Sequence, residues 1–178
     1  MISVPVMAQG DMSPEEVMAT AMQMGTPGEQ HADLAKHAGA WKVAVKMWMD
    51  PTGQPIESSA SVNREMILDG RVQKEDFQGN MMGQPFSGLG LTGYDNVTKR
   101  YWSIWMDSTS TGTTLSWGTW NEEAQAIVYH GESPDPMTGE MAKTKILIRQ
   151  EEGKEHMEMY GMMGDQEVKW LEMEYVRE

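Results

Sequence analysis

The chain has 178 residues, the size of one ordinary domain, and sets 14 Lys and Arg against 27 Asp and Glu, a formal charge of −13. That balance excludes the basic patch of a nucleic-acid binder and the clustered Lys or Arg that attach proteins to anionic lipid. Its longest apolar run, Ala126 to Tyr129, is four residues, far below the ~20 of a helical membrane span. The absence of cysteine removes disulfides, thiolate nucleophiles and Cys-based metal sites.

At the N-terminus, Met1 to Ala8 (MISVPVMA) has the small-residue pattern of a cleavage site, with Ala8 last and Val6 at the −3 position. It reads as the remnant of an export signal, implying a periplasmic or secreted protein; without export the chain is cytoplasmic. Ser13-Pro14-Glu15-Glu16 predicts a helix start, with Ser13 as N-cap, Pro14 at N1 and Glu16 closing a capping box. That helix stops near Gly25, and Thr26-Pro27-Gly28 breaks it. A second helical stretch, Glu29 to His37, ends at Gly39. The boundary predicted is a tail and helix over 1–26, then a barrel domain over 27–178.

From Trp41 the period changes to two: Trp41, Val43, Val45, Met47 and Met49 alternate with more polar neighbours, the mark of a half-buried strand. Nine further strand-like runs follow, at 57–67, 71–77, 86–94, 101–106, 113–120, 126–132, 142–149, 156–161 and 168–176. Turn chemistry separates them, Asp69-Gly70 giving the strongest hairpin signal. No helical segment lies between them, so the strands form an antiparallel meander, and a meander this long must split or close to remove its edges. The glycines Gly88, Gly90 and Gly93 suit the sharp bends of barrel corners. The fold predicted is all-β: a single antiparallel up-and-down β-barrel of about 8–10 strands with a short helical N-terminal segment.

Motif by motif, little catalytic chemistry emerges. Gly88-Leu89-Gly90-Leu91-Thr92-Gly93 spells G-x-G-x-x-G, but it leads into another strand rather than the helix a dinucleotide needs. His31 and His37 are six apart and cannot chelate as an i, i+4 pair would. Met81-Met82, Met157-x-Met159 and Met162-Met163 invite a copper reading through soft thioethers, yet lie in strands and hairpins, where core or cavity lining is the simpler role. No nucleophile elbow, zinc-protease helix or phosphate loop is present. No catalytic residue, metal ligand or cofactor is therefore assigned.

Gly39-Ala40-Trp41 resembles the first signature of lipocalins, a G-x-W leading into the first strand after a short helical turn. The resemblance implies that Trp41 packs across the closed end of the barrel beneath a basic side chain of the last strand, here Arg177, forming a cation–π plug. Trp41-Lys42-Val43, Met81-Met82-Gly83-Gln84-Pro85-Phe86, Gly93-Tyr94-Asp95-Asn96 and Trp105 through Gly112 are similar to a bacterial family of lipocalin-like proteins catalogued as a domain of unknown function. This likeness covers nearly all of 27–177 and implies a barrel but no substrate.

Alternate residues of a closed strand face the lumen. In the second strand the apolar set Ala60, Val62, Met66 and Leu68 carries Arg64 inward, while Lys169, Leu171, Met173, Tyr175 and Arg177 share one face of the last. An inward Arg64 requires an acidic partner, the simpler reading, or an anionic ligand. The lumen candidates are Met47, Arg64, Met66 and Tyr94, together with Trp105, Trp117, His130 and Tyr175. The function expected is binding of a small apolar or amphipathic molecule, whose carboxylate, if it had one, could meet Arg64 and Tyr175. Alternatives are an enzyme using His130 with Asp107 or Glu132, and a haem or metal barrel with His130 or His156 as ligand. The helix face Val17, Met18, Ala21 and Met22 could also serve a partner or a homodimer.

Overall fold

The computed structural model describes residues 12–135 and 138–178. The export-signal reading at Met1–Ala8 lies outside the described residues, as do Pro136 and Met137 of one predicted turn. Two helices, α1 (Pro14–Met24) and α2 (Glu29–Lys36), precede ten strands: β1 (Gly39–Met47), β2 (Ile56–Ile67), β3 (Val72–Met81), β4 (Gln84–Asp95), β5 (Arg100–Asp107), β6 (Thr114–Asn121), β7 (Ala126–Pro134), β8 (Met141–Glu151), β9 (Lys154–Met163) and β10 (Gln166–Arg177). Each strand pairs antiparallel with its sequence neighbour, and β1 pairs with both β2 and β10, closing the barrel. Every backbone edge is thereby paired, which is why a ten-strand meander settles in this form. Lipocalin barrels close on eight strands, so this one differs from them in strand number.

The capping box forms as the sequence predicts: Glu16 N–H donates to Ser13 Oγ and Ser13 N–H to Glu16 Oε2, at 3.3 and 2.7 Å. Helix α1 nevertheless buries no residue, and Met18 and Met22 are exposed. Its far end is tied to the barrel through backbone carbonyls: Asn96 Nδ2 donates to Met24 O and Thr26 O, and Arg71 Nε to Gly25 O. Helix α2 lies across the closed end, with His31 and Leu34 buried and Gln73 Nε2 donating to Leu34 O at 2.6 Å.

Three local expectations change. Leu68 does not continue the inward face of β2; it sits exposed in a turn with Asp69 and Gly70, all three at positive φ (51°, 53° and 81°). Lys169 does not share a face with Leu171, because a register shift between them flips the alternation, and Lys169 joins Glu158 and Glu172 on the outer surface. The glycines of β4 serve close approach rather than bending. A Cβ at Gly88 would stand 2.3 Å from the Trp105 ring, and one at Gly93 2.4 Å from the Trp102 ring. Each indole of β5 rests against the backbone of β4, where a larger residue at these two positions has no room.

The densest packing is at the closed end, where Trp41, Val43, Val62, Phe77 and Tyr175 are almost wholly buried. Trp41 Nε1 donates to His37 O at 3.0 Å, and the His37 ring stacks on the indole. The guanidinium carbon of Arg177 lies 5.1 Å from the Trp41 ring centroid, while its Nη2 donates to Lys36 O and Ala38 O. Arg64 reaches the same indole, at 5.4 Å. Trp41 thus meets two cations, one of them from β2.

Candidate functional site

Above this packed end the barrel encloses a cavity of about 470 Å³, within the range of small-molecule sites. Two walls differ in chemistry. Val45 and Met47 of β1, Phe77 of β3, Met157 and Met159 of β9 and Met173 of β10 form an apolar wall. Opposite them runs a belt of hydroxyls set by strand register: Thr92 pairs with Ser103, Ser103 with Ser116, Ser116 with Gly131, and Gly131 with Thr144. Gly131 interrupts the belt for lack of room, since a Cβ there would fall 2.2 Å from Ser116 Oγ. Among the described residues, the Thr92, Ser103, Ser116 and Thr144 hydroxyls make no side-chain hydrogen bond, although Ser116 and Thr144 are buried; all four line the cavity.

The floor is a buried charge cluster. Arg64 donates through Nε to Glu75 Oε2 at 2.6 Å, through Nη1 to Glu155 Oε2 at 3.1 Å and through Nη2 to Glu155 Oε1 at 2.7 Å. Its side chain is 5% exposed and that of Glu155 3%. Gln150 Nε2 adds a bond to Glu155 Oε2 at 2.9 Å, and the guanidinium rests 4.7 Å from the Tyr175 ring centroid. The two carboxyls respond in opposite directions. Burial pushes Glu155 up, but the charge and hydrogen bonds of Arg64, with Gln150, hold it below its ordinary value. At Glu75 burial outweighs Arg64, and the carboxyl rises. Burial works against the charge of Arg64 as well, yet Glu155 and Glu75 keep it firmly protonated. Burial also raises the hydroxyls of Tyr129 and Tyr175, so both phenols stay neutral donors.

At the mouth, Asp107 accepts from Trp105 Nε1 at 2.9 Å and from the Thr109 amide and hydroxyl. Burial raises its carboxyl, but the Thr109 and Trp105 bonds outweigh this and leave it below its ordinary value.

Of the eight residues expected in the lumen, Met47, Arg64, Trp105 and Tyr175 line the cavity. Met66 lies on the inward side of β2 but below the cavity, paired with Gln73. Tyr94 stands beneath α2, its ring edge-on to His31 at 6.1 Å and to Tyr101 at 4.9 Å, and does not reach the cavity. Trp117 and His130 are on the outer face: they pair with each other across β6 and β7, Arg100 covers the Trp117 ring at 3.9 Å, and His130 is exposed. Glu132 is outside too, so His130 and Glu132 do not converge with Asp107 on the lumen. His156 also faces outward, near Glu172, and no histidine lines the cavity.

Sequence reading missed Glu75, Glu155, Tyr129 and the hydroxyl belt. Glu75 and Glu155 were readable in principle from parity, since Glu75 shares a strand face with Phe77 and Glu155 with Met157 and Met159.

The solved structure titled as that of Rv2717c from M. tuberculosis has the same fold, with a TM-score of 0.64 over 86% of this chain and 99% of that one. At 14% identity the likeness extends to the fold alone. No curated protein matches the chain. A family model, described as a protein of unknown function (DUF1579), matches residues 26–177, nearly the whole barrel together with α2. The chain therefore belongs to the DUF1579 family.

Proposed function

We propose that this protein binds a small amphipathic molecule inside its barrel. The observation that carries this reading is the cavity of about 470 Å³ with one apolar wall and one hydroxyl-bearing wall. A barrel built only for stability would fill this volume with side chains, because unfilled space forfeits packing contacts at roughly 24 cal/mol per Å³. Apolar surface supplies affinity, and a few convergent polar groups orient the occupant. The methionines at 157, 159 and 173 suit such a site, since the unbranched thioether adapts its shape to what it contacts.

The test is titration with N-phenyl-1-naphthylamine, a neutral dye that brightens in apolar surroundings, alongside native mass spectrometry. Saturable uptake at one dye per chain is expected, with loss in Ser116→Phe, which fills the cavity from the β6 wall. Ile146→Trp provides a second plug from β8 if Ser116→Phe fails to fold. Uptake that does not saturate, or that survives both plugs in folded protein, refutes the reading.

A further inference from the structure

We infer that the cavity selects an uncharged, hydrogen-bond-donating head group and rejects carboxylates, an inference that rests on the binding role proposed above. An arginine at the base of an apolar barrel cavity suggests a fatty-acid anchor, but its surroundings give the opposite answer. Each nitrogen of Arg64 already donates to a carboxylate: Nε to Glu75, Nη1 and Nη2 to Glu155. The Trp41 and Tyr175 rings also pack on the guanidinium, their centroids 5.4 and 4.7 Å from its carbon. Three of its five N–H donors are thus engaged and two carboxylates already balance its charge, so this cation offers little to an incoming anion.

The charge of the whole lining points the same way. Its charged residues are one cation, Arg64, and three carboxylates, Glu75, Glu155 and Asp107, with no lysine among them. An anionic ligand would therefore enter a low-dielectric space of net negative sign, where repulsion is far stronger than in water. It would also meet oxygen lone pairs on Glu155, whose carboxyl Arg64 holds ionised and which can only accept. A hydroxyl-bearing head fits both features. It donates to the floor carboxylates, and it exchanges bonds with Ser116 and Thr144, whose hydroxyls have no protein partner among the described residues. Trp105 and Phe77 lie edge to face at 5.8 Å beside the same space and give the carbon skeleton an aromatic surface.

The experiment is displacement of N-phenyl-1-naphthylamine from the full chain at pH 7 by a matched pair, 1-decanol and decanoate. We expect decanol to displace the dye at a concentration about tenfold or more below that of decanoate. Asp107→Asn narrows that gap by removing one lining charge, that of a carboxylate held below its ordinary value. Thr144→Val, nearly isosteric, weakens decanol about threefold to tenfold, the effect of one hydrogen bond. Decanoate competing as well as or better than decanol overturns the charge selection while leaving the binding role standing. An unchanged decanol affinity in Thr144→Val overturns the part assigned to the hydroxyl belt. Failure of the dye itself to bind overturns the binding role, and this inference with it.

Discussion

Replacing Glu155 by Gln tests the floor cluster directly, because it keeps the side-chain shape and deletes only the charge. Glu155 is 3% exposed and accepts two of the three ion-pair bonds made by Arg64, plus one from Gln150. An amide presents one oxygen, so at least one charge-assisted bond disappears, at about 1.5–3 kcal/mol. A donor–donor clash then appears at the position of the lost oxygen, facing the guanidinium in either orientation and Gln150 as well where Oε2 is the one replaced. Breaking a buried pair outright costs about 3–5 kcal/mol. Glu75 remains to neutralise Arg64, which places the expected loss near the lower end, at about 3 kcal/mol. For a chain of this length that corresponds to a fall of about 6–12 °C in Tm. Urea unfolding followed by tryptophan fluorescence measures it, with Glu167→Gln as the comparison. Glu167 pairs with Lys145 at the surface, 43% and 28% exposed, and its loss should cost less than about 1 kcal/mol. The difference between wild type and Glu155→Gln also depends on pH. Glu155 is held below its ordinary value when folded, so its contribution is present above the unfolded value near 4.5 and is lost as pH falls through the folded one. The two proteins should converge under acid. A loss below about 0.5 kcal/mol at pH 7, or a gap that persists unchanged under acid, refutes the assignment of Glu155 as the ionised partner of Arg64.

Glu75→Gln should behave in the opposite sense. The folded carboxyl is raised, so its favourable contribution is present below 4.5 and lost as pH rises through the folded value; the variant gains on wild type between acid and neutral pH in the same urea assay. Burial lowers His31 and His37, so these two imidazoles hold fewer protons folded than unfolded below pH 6.5, and their contribution to stability falls as pH drops from 7.5 to 5.5. The double variant His31→Gln/His37→Gln should flatten that slope in urea midpoints, and a slope unchanged by it removes the histidines as the cause. Gly88→Ala sets a methyl group 2.3 Å from the Trp105 ring, which must tilt into the cavity away from Asp107. The expected cost is about 1–3 kcal/mol in unfolding free energy together with weaker dye uptake; wild-type values for both mean that Trp105 does not rest on that backbone.

How much was legible in the residues depends on whether the signal is local. The ten strands are set by period-two alternation broken by short turns, information carried within a dozen residues at a time. Closure follows from edge removal, which topology imposes on any meander of this length. The capping box at Ser13 and the inward position of Arg64, with its requirement for an acidic partner, were readable for the same reason. Alternation states which residues share a face, however, and not which face is inside. In a dry core the apolar set answers that question. On β6 and β7 the lumen side is Ser116, Gly131 and Tyr129 while Trp117 and His130 stand outside, so ranking by hydrophobicity selects the wrong face. Only the closed barrel settles it, through register with β5 and β8 and through Arg100 covering Trp117 from without. The same holds for the floor. Arg64 demands a carboxylate, but Glu155 lies 91 residues away and reaches it across the barrel, a proximity that exists only once β1 has paired with β10 and the ring is complete.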